Sequence, residues 1–231
     1  MKLMLLNVAA AALLLAAFTL LASCGDSAIT IPLHIRAELA FSASTALEKY
    51  ANQYDVSFPN PYPNNREFPP VNILQPIDIF QSINFDNKKS LKQHKDNLKS
   101  VFIDSVKFTV TQNDLSHPIE KIYIWIGKRS KSQYSGAYYA SSDKENYTLL
   151  TRLSPIKPGE TASFYLFPSY EGEKLLGELI PKLGLALWVE AFLHFDSTAE
   201  TPDGVGALPS GGVEAILEIH LTALGDAGSA I

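Results

Sequence analysis

The chain has 231 residues, a formal net charge of −5 and one cysteine, Cys24. Its length suits one large domain or two small ones and affords a single packed core. The acidic balance argues against a nucleic-acid partner, whose phosphates require clustered Lys and Arg, and a lone cysteine excludes a disulfide framework.

In chain order, the first element is an apolar run from Leu3 to Leu21, broken only by Asn7 and Thr19, preceded by Lys2 and followed by the small residues Ala22 and Ser23. This is the layout of an export signal, expected as a signal helix over 1–23. A run of about 20 apolar residues could also span a bilayer, but Gly25-Asp26-Ser27, not a basic stop cluster, follows Cys24.

Leu21-Ala22-Ser23-Cys24 resembles the lipobox of bacterial lipoproteins. The resemblance implies cleavage after Ser23, a diacylglycerol thioether on Cys24 and a further acyl chain, such as palmitate, on its amine. The lone thiol is then an attachment point, and two or more acyl chains make a stable anchor. Gly25 stands where the enteric members of the family that stay in the inner membrane carry Asp, so the resemblance implies the outer membrane of the cell envelope, with the periplasm beside it. Residues 24–28 form a tether that reaches less than about 18 Å, which holds the domain at the membrane surface.

From Ile29 to Phe41 the odd positions are apolar and most even ones polar, the period of a half-buried strand. Pro32 on the even face predicts an edge position or a bulge. Residues 42–86 form a Pro- and Asn-rich excursion, either ordered across the sheet or flexible, with Tyr50, Tyr54, Phe58, Tyr62 and Phe68 favouring packing. Within it, Ala46–Gln53 reads as a short helix and Val71–Ile79 as one or two brief strands. Leu91, His94, Lys95 and Leu98 at helical spacing predict an amphipathic helix over 87–100. Strand signals then recur at 102–111, 119–126, 134–140, 147–153, 161–167, 185–195 and 213–224, separated by turn chemistry and interrupted by one connecting helix over 170–183. Many strands at this spacing predict an antiparallel β-sandwich over 29–224 with one or two short helices and a tail at 225–231.

The stretches "FIDSVKFTVTQNDLSHPIEKIYIWIG" and "PGETASFYLF" are similar in strand rhythm to the immunoglobulin-like sandwiches of bacterial envelope lipoproteins. The likeness covers about residues 100–224 and implies a mainly β, immunoglobulin-like sandwich without supplying catalytic residues.

No phosphate loop, dinucleotide fingerprint, nucleophile elbow or metalloprotease helix motif occurs. His34, His94, His117, His194 and His220 are scattered, without the spacing of a metal motif; His34, His194 and His220 fall on the polar side of strands that could lie together. Glu190, Asp196, Glu214 and Glu218 read as alternating charge on an exposed sheet face, although a glycosidase-like pair is geometrically open. The acidic turns around Asp143 and Asp196 lack calcium-loop spacing. No catalytic residue, metal or cofactor is expected. The candidate binding surface is aromatic: with Ile122, Ile124 and Ile126 facing the core, Tyr123 and Trp125 face away, joined by Tyr134 and Tyr138 on the next predicted strand. The excursion or a helix could instead cover them. The expectation is a non-catalytic, membrane-anchored module that binds an envelope protein, with glycan binding on the aromatic face as the alternative.

Overall fold

The structure, a computed structural model, describes residues 28–55, 57, 66–67, 71–78, 95–131, 138–139, 143–180, 184–196, 198, 200–201 and 203–226. Cys24 and the apolar run before it lie outside the described residues. No helix among the described residues is long and apolar enough to cross a membrane.

Two antiparallel sheets form the expected β-sandwich. In the first, β1 (Ala28–Ser42) pairs along its whole length with β11 (Gly212–Asp226), followed by β4 (Leu98–Asn113) and β9 (Ser163–Leu166). In the second, β10 (Gly184–Phe195) pairs on one side with β5 (Ile119–Gly127), which pairs with β8 (Tyr147–Leu153). On its other side β10 takes β2 (Arg66–Glu67) and β3 (Val71–Asp78). The Pro-rich excursion thus contributes strands to the second sheet. Pro76 in β3 and Pro32 in β1 sit on strands that have one sheet partner each among the described residues, the setting in which a strand tolerates proline.

Alternation of side chains along each strand builds the core. Ile31, Leu33 and Ile35 of β1, Leu217, Ile219 and Leu221 of β11, and Val106, Phe108 and Val110 of β4 are buried from one side. Ile122, Ile124 and Ile126 of β5 and Leu185, Leu187 and Val189 of β10 meet them from the other.

Helix α1 (Ala43–Tyr54) is longer than the predicted 46–53 and follows β1 directly, burying Ala43, Ala46 and Tyr50. Helix α2 (Tyr170–Leu179) buries Leu176 and Leu179, with Ile180 beyond it; of the predicted extent, 181–183 lie outside the described residues.

Three expectations are corrected. The helix over 87–100 does not hold at its C-terminal end: Lys95–Asn97 is a single 3-10 turn and β4 starts at Leu98, because the ladder to β11 satisfies this backbone down to the Leu98–Gly225 pair; residues 87–94 lie outside the described residues. Of the strand over 134–140 only β7 (Tyr138–Tyr139) lies within the described residues, and it pairs with β6 (Ser130–Lys131) in a separate ribbon and not with β5. Glu190 does not belong to an exposed charged face, being buried.

Candidate functional site

Tyr123 and Trp125 have the expected parity. They leave β5 on the outer face of the second sheet while Ile122, Ile124 and Ile126 are fully buried inside. The β5–β10 register sets Trp125 opposite Trp188, Tyr123 opposite Glu190 and Lys121 opposite Phe192. The outer face therefore carries a run of aromatic contacts: Tyr147 packs edge-on to Trp188 with centroids 5.3 Å apart, Tyr123 meets Trp125 at 6.2 Å and Phe192 at 5.7 Å. Tyr134 lies outside the described residues. Tyr138 is in the separate β6–β7 ribbon, so the structure does not set it beside Tyr123 on a shared sheet.

This face is largely closed. Trp188 is only 6% exposed and Tyr147 is buried. Lys144 reaches across the sheet, its Nζ 4.5 Å from the Trp125 ring centroid and 2.7 Å from Glu190 Oε2. One cation thus serves as π partner and as counter-ion to a carboxylate whose side chain is 4% exposed. Lys49 of α1 also feels that carboxylate: burial lowers its pKa and the Glu190 charge opposes the shift. The indole Nε1 groups of Trp125 and Trp188 are buried without a hydrogen-bond partner.

The more open aromatic surface lies at the edge of the sandwich, where β9 hands the chain to α2. Phe167 is 92% exposed, Tyr170 77% and Tyr165 71%. Their placement is built by Ser169, the N-cap of α2. Its hydroxyl accepts from the Gly172 N–H at 3.0 Å and donates to the Leu149 carbonyl, while its own N–H donates to Leu150 O at 2.6 Å. Thr151 adds a bond from its hydroxyl to Phe167 O at 2.8 Å. Gly172 allows the close approach, since a Cβ there would stand 2.7 Å from Leu149 O. The segment is held by its backbone, so its aromatic side chains point away. Two grooves flank it, of about 520 Å³ beside Arg152, Tyr165 and Phe167 and about 510 Å³ beside Lys99, Phe102, Tyr170 and Lys174. Sequence reading passed over this edge because an alternating strand gives no sign that it is short and terminal; "FPSYEG", a helix cap between two aromatics, is the local signal.

Other candidates separate. Glu190 is on the outer face of the second sheet and Glu214 and Glu218 on that of the first, so the two sets stand on opposite sides of the sandwich. Asp143 and Asp196 are occupied in turns: Asp143 Oδ1 accepts from Glu145 N at 3.0 Å, and Asp196 Oδ1 accepts from Thr198 N at 2.8 Å and its hydroxyl at 2.7 Å. Those bonds hold the Asp196 carboxyl below its usual pKa. His194 lies on β10 with Nδ1 3.9 Å from Glu120, apart from His34 and His220, which are direct partners on β1 and β11. His117 is buried, its Nδ1 2.9 Å from Ser116 Oγ, and burial lowers its pKa. His94 lies outside the described residues. No family model and no curated protein matches the chain.

Proposed function

We propose that this is a non-catalytic lipoprotein of the bacterial envelope, held to the outer membrane through acylated Cys24, whose sandwich binds an envelope protein through the aromatic edge made by β9 and α2. The observation that carries the binding half is the exposure of Tyr165, Phe167 and Tyr170 within six residues on a backbone pinned to β8. Single exposed aromatics are ordinary, whereas clustered ones on a rigid support are the material of protein interfaces.

The direction of the chain supports the tethered half. β1 begins at Ala28, and Thr30 is level across β11 with Ser100 through their shared partner Leu224. The groove with Lys99, Phe102, Tyr170 and Lys174 therefore opens near the end of the sheet from which the tether leaves. Glu173 and Glu178 line it beside the two lysines, and a short tether limits partners to those at the membrane face.

Glycan binding on the aromatic sheet face draws less support. Stacking needs a free ring face, and Lys144 stands over Trp125 while Trp188 is buried.

Cross-linking in intact cells, enrichment of the full chain and mass spectrometry of what comes with it tests the proposal, with the Cys24 peptide read in the same sample. A reproducible envelope protein together with an acylated Cys24 is expected. An unmodified Cys24 overturns the anchor, and an acylated chain that captures no protein overturns the binding role.

A further inference from the structure

The outer face of the first sheet holds a second cluster, remote from the aromatic edge in chemistry. The β1–β11 register makes His34 and His220 direct cross-strand partners and sets Arg36 opposite Glu218. The two imidazoles stack with centroids 4.4 Å apart and planes 12° from parallel. Glu218, two residues before His220 on β11, projects from the same face, and its Oε1 lies 3.4 Å from His34 Nε2. One ligand atom from each of His34, Glu218 and His220 falls within 4.8 Å of the others.

From these three side chains we infer a binding site for a divalent transition-metal ion of the zinc, cobalt or copper class.

The separations approach those of a bound ion, and the stacked rings must splay until one ion lies in the plane of both. Bonds of about 2.0–2.1 Å in a tetrahedron place neighbouring ligand atoms about 3.4 Å apart. The His34–Glu218 separation has that value. The His220 nitrogen must close by about 1.4 Å at most from the 4.8 Å limit, which a side-chain rotation on a paired strand supplies. Two imidazoles and one carboxylate are a donor set for zinc-like ions, whereas calcium and magnesium take oxygen shells.

The state of the ligands points the same way. His34 Nε2 is shielded from solvent and makes no hydrogen bond of good geometry. Lys107 Nζ holds the other carboxylate oxygen, Oε2, at 3.7 Å, leaving Oε1 for the ion. Arg36, opposite Glu218, pairs instead with Glu38 at 3.2 Å, and Asp104 on β4 accepts from Thr222 at 2.8 Å. His220 is exposed, so the fourth position of a tetrahedral ion would face solvent and take water or a ligand from outside.

The test uses the full chain without a polyhistidine tag, titrated with zinc by calorimetry and with cobalt by visible absorption. One saturating equivalent is expected, with the intense d–d bands of tetrahedral cobalt. His220→Asn and Glu218→Gln should each weaken zinc by at least about tenfold. Unchanged circular dichroism of both variants separates lost ligation from lost fold, and His194→Asn, at the other cluster, should bind as the wild type does. Absence of a saturable equivalent, or undiminished affinity in a folded H34N/H220N double variant, would overturn the site.

Discussion

Ser169 donates its hydroxyl hydrogen to the carbonyl of Leu149, and through that bond the start of α2 is fixed to the edge strand β8. The same oxygen caps the helix at Gly172 N. Ser169→Ala removes both interactions and should cost about 1–2 kcal/mol. A lower urea midpoint at unchanged slope checks this. Gly172→Ala should cost at least as much, because its methyl would meet Leu149 O at 2.7 Å and Leu150 Cα at 2.8 Å.

A second expectation concerns the loop that joins the two sheets at the start of β11. Gly211 has φ +78°, and a Cβ there would stand 2.1 Å from Asp114 O. The surrounding bonds, Gly212 N to Asp114 Oδ1 at 2.6 Å and Ala43 N to Gly211 O at 3.0 Å, tie β4, β11 and α1 together. Gly211→Ala should therefore destabilise by about 2 kcal/mol or more, read as a fall in thermal midpoint. Gly159, also at positive φ but in open space, should lose less on the same substitution.

Lys144 and Glu190 should be strongly coupled. The carboxylate is buried and the ammonium nearly half-exposed, so Lys144→Met leaves a desolvated charge and should cost about 1–3 kcal/mol. Adding Glu190→Gln should recover part of that loss, and a double-mutant cycle in urea measures the coupling. Trp125 fluorescence should also change in K144M, since the cation over its ring is removed.

Acid should weaken the fold before the carboxylates titrate. Burial lowers the pKa of His117, with Asp196 and Asp203 opposing and His194 adding to the shift, and burial with His220 lowers that of His34. From the ordinary histidine value of about 6.5 down to these lower folded values, the unfolded chain binds protons that the folded chain does not. The stabilisation is complete above that window and is lost as pH falls through it. Urea midpoints measured from neutral pH to about pH 5 should decline, and less steeply in His117→Gln.

The extent to which the sequence carries this structure varies by element. β1 and β11 are legible because each alternates over more than seven residues with one face buried, and β5 and β10 because they are apolar runs bounded by turn residues. The first residues of β4 are not, because Lys95 and Leu98 fit a helical spacing and only the partner strand β11 decides between ladder and helix. Tyr123 and Trp125 follow from parity alone. The burial of Glu190 does not, since it depends on Lys144 arriving from a different loop. The His34–His220 pair joins the first and last strands of the fold, and its register is invisible to any local pattern. The exposure of Phe167 and Tyr170 likewise depends on where β8 runs, not on the residues themselves.

Under the proposed function, the edge made by β9 and α2 is where a membrane-tethered sandwich meets its partner. A photo-reactive amino acid at Phe167, compared in intact cells with one at Glu38, whose side chain is 79% exposed on the opposite edge strand, tests it most directly. A discrete protein adduct at Phe167, absent at Glu38, is the predicted result. Equal adducts at both positions, or none at Phe167, would contradict the account.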